Sequence, residues 1–217
     1  FIQEVFWRIY WKGWLEQNKN IWKSYKRQLI KENEIINKTA NYNLYKKAIV
    51  GCTELEPFDT WVYQLKSTGY LHNHARMWFA SIWIHYFSLH WTLGANLFYE
   101  NLLDADVASN TLSWRWVAGL HTKGKRYIAN KENINKYSFN KFKKFSLPVY
   151  KNIEFNDNIK YSSPKNFKKY TDITIKKNSA ILVMENNLDI EFVKKNKEFV
   201  KNYIFIKFTK NEIKSSD

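Results

Sequence analysis

Residues 68–83 read TGYLHNHARMWFASIW, and the fold turns on what this stretch is: a metal site, a core helix, or the wall of a cofactor pocket. Its continuation to residue 87, HNHARMWFASIWIHYF, holds no Gly or Pro to break a helix. Placed on a helix, Asn73, Arg76, Met77 and Ala80 fall at i, i+3, i+4 and i+7, so one face presents an amide, a guanidinium and a thioether beside a small residue. A planar ligand could lie against that face. The histidines suit a metal poorly, because His72 and His74 are two apart, point to different sides, and are followed by no Glu or Cys at ligand spacing. No metal is expected. An amphipathic core helix would account for Trp78, Ile82 and Trp83 and leave Arg76 without a purpose.

A partner for Arg76 lies in LLDADVASNTLSWRW, residues 102–116, where Asp104 and Asp106 precede Asn110 in an otherwise apolar run. Two carboxylates beside a buried site are costly unless each finds a cation or a strong donor. Arg76 is the planar, bidentate partner for one of them. The other is left to accept from a ligand N–H. Such Asp-x-Asp pairs are also common as helix caps or solvated turns, so the pair alone decides nothing.

The 217 residues suffice for a full-sized core, one domain plus a partial second. Cys52 is the single cysteine, which excludes a disulfide framework and a thiolate zinc finger and fits a reducing, cytoplasmic location. No apolar run approaches the roughly 20 residues that span a bilayer. The chain opens at Phe1 with no charged-then-apolar leader, and sequence upstream of it is expected. A net charge of +15 invites a nucleic-acid partner, since clustered Lys and Arg release counterions from phosphates. Much of the excess is Lys among Asn and Ile, as in KKNSA and NKFKKF, which compositional drift would also produce.

All ten tryptophans lie at or before Trp116. Residues 1–140 therefore read as one helical domain: FIQEVFWRIYWKGWLEQ sets Phe1, Val5, Phe6, Ile9 and Tyr10 at helical spacing, and strand signals are nearly absent. Residues 141–178 are polar, carry Pro148 and Pro164, and read as a linker or extended wrap. In 179–217, AILVM (180–184), a Lys- and Glu-bearing segment near 189–201 and YIFIKF (203–208) read as strand, helix, strand. A two-stranded βαβ unit is too little sheet to stand alone, so it either docks on the helical domain or opens a domain that continues past Asp217.

The order of these motifs resembles the FAD-binding helical domain of the photolyase and cryptochrome family. That family's pattern runs Thr-Gly-aromatic-x-His-Asn-x-x-Arg-Met, Trp, Asp-Gly-Asp, Asn, Trp-x-Trp. Here these are Thr68 to Met77, Trp91, Asp104 to Asp106, Asn110, and Trp114 to Trp116. Upstream, QEVFWRIYW resembles the Glu-x-x-Trp-Arg element, and GCTELEPFD the Gly-x-Thr-Gly element with its downstream Asp, here Asp59. The likeness covers about residues 1–135 and is nearest to a short bacterial subgroup in which the flavin domain precedes an α/β segment.

The resemblance implies a mainly α fold with FAD at the centre of the helical domain. Cofactor-binding positions are Asn73, Arg76, Asp104, Ala105, Asp106 and Asn110. Arg76 would pair with Asp104 beside the isoalloxazine, Asp106 would accept from its imide N–H, and Asn110 would face the redox-active central nitrogen. A neutral amide there is the photolyase-like choice, because an ionised Asp would repel an anionic reduced flavin. Glu4, Trp7, Trp11, Asn73, His74, Met77 and Trp116 match positions that meet DNA and a flipped pyrimidine dimer; damaged pairing makes extrusion cheap, and aromatic walls receive the unstacked bases. Protonated Glu4 would donate to a base carbonyl and stabilise the charge developing there. For Trp7 and Trp116, ordinary core packing is the competing account.

Trp91 and Trp114 match two members of the family's electron relay, and with Glu4 and Asn110 they complete the catalytic set. The third relay Trp has no counterpart, and the region before Gly51 offers Tyr42 and Tyr45 instead. Ala105 stands where the family often has Gly, and His74 where a basic residue reaches toward DNA. The loop that holds the FAD phosphates precedes Glu-x-x-Trp in the family, so the chain is expected to be a fragment lacking its N-terminus. Three functions follow: a light-driven lyase that splits cyclobutane pyrimidine dimers, working as a monomer on DNA; a cryptochrome-like blue-light sensor without repair; and a basic helical nucleic-acid-binding module. The last leaves Arg76, Asp104 and Asp106 unmotivated. Asn73, where enzymes for the other major photolesion place His, tilts lesion choice toward the cyclobutane dimer.

Overall fold

Helix α1 (Ile2–Gln17) meets α2 (Lys19–Ile35) at Asn18, a buried junction residue whose amide donates to the Trp14 carbonyl at 2.9 Å. The spacing read from the sequence does form a helix, yet Val5, Phe6, Ile9 and Tyr10 stay exposed, and α1 buries Trp11 and Leu15 instead. The computed structural model describes residues 2–122, 125–142, 144–157, 159–162, 176–184 and 190–206, so Phe1 lies outside the described residues.

Helices α3 (Tyr42–Val50) and α4 (Glu56–Thr68) are joined by a turn that Asp59 ties together, its carboxylate accepting from the Thr53 amide at 2.9 Å, the Thr53 hydroxyl at 2.7 Å and the Glu54 amide at 3.0 Å. Pro57 in the first turn and Glu56 and Asp59 at the positive end favour the start of α4. It ends at Gly69, whose φ of +67° suits glycine. Glycine is required there twice over, because a Cβ would meet the Leu103 side chain at 2.6 Å. That close approach lets the Leu103 amide donate to the Gly69 carbonyl at 2.9 Å and brings Asp104 to the start of the next helix.

Helix α5 (Asn73–Ser81) is capped by His72 and buries Ala75, Trp78, Phe79, Ala80 and Ser81. The unbroken helix expected through residue 87 does not continue as such: Ile82–Tyr86 is a π-turn, closed by the Phe87 amide on the Ile82 carbonyl at 2.9 Å. The wider turn coincides with side chains bonded outside the helix, Trp83 Nε1 to the His90 carbonyl at 3.0 Å and His85 Nε2 at 3.1 Å from the Val117 carbonyl. Helices α6 (Trp91–Asn101), α7 (Val107–Val117) and α8 (Lys131–Tyr137) follow, begun by His90, Asp106 and Asn130 as side-chain caps. α1 lies on α7, and α6 packs against both α2 and α7. Phe58, Phe79, Trp83, Trp91, Phe98 and Trp114 form the middle of the core.

The chain divides into two compact units, Phe1–Lys165 and Asn166–Asp217. The stretch read as linker or wrap is thus split: its portion up to Lys165 falls in the first unit, where Phe142 and Phe145 are buried and the Lys151 amide donates to the His85 carbonyl at 2.7 Å. In the second unit β1 (Ser179–Met184) pairs in parallel with β2 (Val200–Ile206), Ile181 opposite Tyr203, and α9 (Ile190–Lys195) lies between them in sequence. This is the strand, helix, strand order read from the sequence; residues 207 and 208 of the second strand reading lie outside the described residues. Mainly α with a small parallel pair is the observed class. Among the described residues, no helix is long and apolar enough to cross a membrane.

Candidate functional site

A cavity of about 530 Å³ opens in the helical unit, within the range of small-molecule and cofactor pockets. Three walls build it. Glu4, Trp7 and Trp11 come from α1, which reaches the cavity because it lies across α7. Asn73, Arg76, Met77 and Ala80 form the face of α5. The turn Asp104–Asp106 and the helix it begins supply Ala105, Asn110, Trp114 and Trp116. Of the positions read as catalytic, cofactor-binding or DNA-binding, all but two line this cavity. Trp91 is fully buried in α6, and His74 sits on the outer side of α5, stacked on Trp78 with ring centroids 5.6 Å apart; neither lines the cavity.

Charge is organised around Asp104. Arg76 grips it in a two-pronged pair, Nη2 to Oδ1 at 3.0 Å and Nη1 to Oδ2 at 3.2 Å, while its Nε is anchored on the Leu71 carbonyl at 2.7 Å. Arg8 adds a third contact, Nη2 to Oδ2 at 2.5 Å. Burial pushes the Asp104 carboxyl up, but hydrogen bonds and charge from Arg76 and Arg8 outweigh that and hold it below the ordinary aspartate value. The group is ionised at neutral pH. Asp106 caps α7 by accepting from the Ser109 amide at 2.8 Å, and its other oxygen stands 3.6 Å from Lys12 Nζ. It is at once a helix cap and a carboxylate on the cavity wall.

Asn110 donates from its amide to the Ala95 carbonyl at 2.8 Å, which fixes its orientation; its other N–H and its Oδ1 have no partner among the described residues. Ser109 Oγ, Trp114 Nε1 and His121 Nδ1, all on lining residues, are buried polar atoms with no partner among the described residues. Such orphans call for a polar ligand or ordered water. Planar apolar walls, a held carboxylate and an amide with an unpaired N–H and oxygen together fit a planar heterocycle with polar edges.

Aromatic contacts extend outward from both tryptophans matched to the electron relay. Trp114 contacts Phe98 at 5.1 Å, Phe79 at 6.3 Å and Trp83 at 6.4 Å. Trp91 meets Tyr25 at 5.6 Å, and Tyr25 stacks on Trp22 at 5.1 Å. Of the two tyrosines proposed for the outer position, Tyr45 touches Trp83 at 6.0 Å, and Tyr42 lies under the Lys46 ammonium. Burial pushes the Tyr25 hydroxyl well above the ordinary range, with Glu100 and Tyr99 adding to it.

Sequence reasoning passed over several site residues. Arg8 was legible, since it completes the Glu-x-x-Trp-Arg element. Ser109 lies one turn from Asp106, and Lys12, beside Trp11, enters through its pairing with Asp106. His121 carried no signal: it reaches the cavity because the chain turns back after α7, setting its ring against Trp11 at 4.7 Å and Trp14 at 4.8 Å. Burial, then the charge of Arg115, lowers its pKa, so it is neutral at pH 7.

Comparison with known proteins gives this geometry a lineage. The sequence is similar to a deoxyribodipyrimidine photo-lyase of Buchnera aphidicola subsp. Acyrthosiphon pisum, 31% identical over 147 residues, covering 64% of this chain and 29% of that protein. A cryptochrome DASH of Idiomarina loihiensis is 37% identical over 84 residues, 38% of this chain and 19% of the relative. A deoxyribodipyrimidine photo-lyase of Streptomyces griseus is 42% identical over 72 residues, 33% and 16% of the two chains. The chain therefore spans less than a third of the length of these relatives. The family described as the FAD binding domain of DNA photolyase matches residues 1–163, a span that contains every wall of the cavity. By that match the chain belongs to this photolyase family, and FAD is its cofactor.

Proposed function

We propose that the chain is the flavin-binding and substrate-binding core of a light-driven lyase that splits cyclobutane pyrimidine dimers in DNA. One observation carries the reading: Arg76 and Asp104, Asn110, and the set Glu4, Trp7, Asn73, Met77 and Trp116 open onto the same cavity. Cofactor and flipped bases would share that space. Asp104, held ionised by Arg76 and Arg8, Asp106 and the Asn110 amide would bind and orient FAD. Excited by light in its reduced form, FAD would supply the electron that opens the dimer. Trp7 and Trp116 would wall the extruded bases and exclude water, while the Glu4 carboxyl would meet a base carbonyl where charge develops. DNA is the partner in this reading, and a cytoplasmic monomer the working form.

The test is an absorption spectrum of the purified protein before and after blue light with a dimer-bearing oligonucleotide. Bound flavin with light-dependent loss of the dimer is expected. Glu4→Ala is expected to retain flavin and lose about 10- to 1,000-fold in repair rate, the range for removing one preorganised donor. Similarity to a cryptochrome DASH favours a second reading, a blue-light sensor that uses the same pocket without repair. Flavin that photoreduces while the dimer persists would select it.

A further inference from the structure

Outside the cavity, the most unusual surface lies at the end of α8. Phe139 is 94% exposed and Tyr137 46% exposed. Phe139 and Asn140 both adopt left-handed backbone, at φ of +53° and +57°. For a bulky residue such as Phe that conformation is disfavoured and persists only where its surroundings impose it. Here they do: the Asn140 amide donates to the Asn135 carbonyl at 2.9 Å, the Lys141 amide to Ser138 at 3.1 Å, and Phe142 is buried directly after the turn. A rigid turn therefore holds a phenyl ring out in solvent.

The ring does not stand alone. Tyr137 contacts His74 at 4.8 Å, and His74 stacks on Trp78, whose indole N–H is fixed on Asn133 at 2.8 Å. A ladder of planar side chains thus runs from α5 to the surface, on the helix whose Asn73, next to His74, lines the cavity. Lys136 lies over the Tyr137 ring at 5.3 Å, and Lys141 follows the turn. Between residues 125 and 145 the sequence has a single acid, Glu132, against a row of Lys and Arg. Exposed rings set between cations match a strand of unstacked bases, which offers flat faces at the spacing of its phosphates.

We infer that this rim, with Tyr137 and Phe139 as stacking surfaces and Lys136 and Lys141 as phosphate contacts, is a second DNA-binding element that holds unpaired nucleotides beside the cavity. The inference rests on the reading of DNA as partner. It is testable without flavin or repair.

The experiment is fluorescence anisotropy of the chain with a labelled, undamaged oligothymidylate at several salt concentrations. Tyr137→Ala/Phe139→Ala is expected to weaken binding by about 5- to 100-fold, the effect of losing base stacking. Lys136→Gln/Lys141→Gln is expected to flatten the salt dependence by about 1.4 in log–log slope, roughly 0.7 for each phosphate contact on a single strand. Phe139→Gly removes the ring while easing the left-handed turn, so it is expected to lose affinity with its melting temperature unchanged or raised. Variants that bind like the parent overturn the inference. So does a parent that binds no oligonucleotide, or one that self-associates through this face, seen as a dimer in sedimentation that Phe139→Gly dissolves. Flavin absorbance retained in all variants separates this failure from failure of the lyase reading, which would leave oligothymidylate binding intact.

Discussion

Asn110 and Gly94 are single positions where one or two atoms decide what the cavity can be. Replacing Asn110 by Asp sets an acceptor against the Ala95 carbonyl in place of the 2.8 Å hydrogen bond, and places a negative charge on the cavity wall. Asn110→Asp is expected to cost about 1–3 kcal/mol of stability in urea unfolding. It is also expected to slow photoreduction of bound flavin, followed by absorbance, because a like charge opposes the anionic reduced form. Gly94 faces the Trp114 indole so closely that a Cβ would lie 2.3 Å from Cη2 and 2.6 Å from Cζ3. The ring packs against Phe79, Phe98 and Trp83, so relieving the clash must shift one of them or push the indole into the cavity it lines. Gly94→Ala is therefore expected to destabilise by about 1–3 kcal/mol, read as a lower melting temperature.

At the scale of the element, α7 is held by opposite devices at its two ends. Asp106 caps its start, and near its end Arg115, 1% exposed, meets Asp157, 8% exposed, at 2.5 Å. That pair clips the extended segment before residue 162 onto the helix, helped by the Tyr161 hydroxyl on the Leu120 carbonyl at 2.9 Å and the Ser162 amide on Asn18 at 2.8 Å. Arg115→Met would leave the Asp157 charge buried alone and is expected to cost about 3–5 kcal/mol. The double variant Arg115→Met/Asp157→Leu is expected to recover most of that loss. If denaturant melts place the double variant below the single one, the clip depends on something other than charge pairing.

Over the whole molecule, three histidines are neutral in the fold. Burial lowers the pKa of His85, His90 and His121, His90 to about 4, with Lys31 assisting at His90. An unfolded His titrates near 6.5, so below that value the unfolded chain takes up protons that the fold refuses. Stability is complete above about pH 6.5 and falls as the pH drops toward 4, by roughly 3 kcal/mol from His90 when the drop is complete. Glu32 stands 3.9 Å from His90, and burial raises its own pKa. His90 also caps α6 by accepting from the Thr92 amide. His90→Asn preserves a cap and removes the titration, so urea midpoints between pH 7 and 4.5 are expected to fall less steeply than in the parent.

What the sequence by itself determined is what local spacing encodes. The face Asn73, Arg76, Met77, Ala80 follows from helical periodicity, and a pairing of Arg76 with one of Asp104 and Asp106 follows from the cost of an unpaired charge, the choice of Asp104 coming from the family resemblance. The strand, helix, strand order of residues 179–206 was legible from its apolar runs. What tertiary structure alone decided are contacts between residues distant in sequence. Nothing local shows that Arg8 reaches Asp104, that His121 turns back onto Trp11, or that Tyr25 of α2 meets Trp91 of α6. The apolar stripe of α1 made the same point in reverse, since its spacing formed the helix while packing left Val5, Phe6 and Ile9 exposed. Periodicity selects an element and its faces through short-range sterics, whereas the neighbour each face receives depends on how α1, α6 and α7 cross, and no window of sequence contains that.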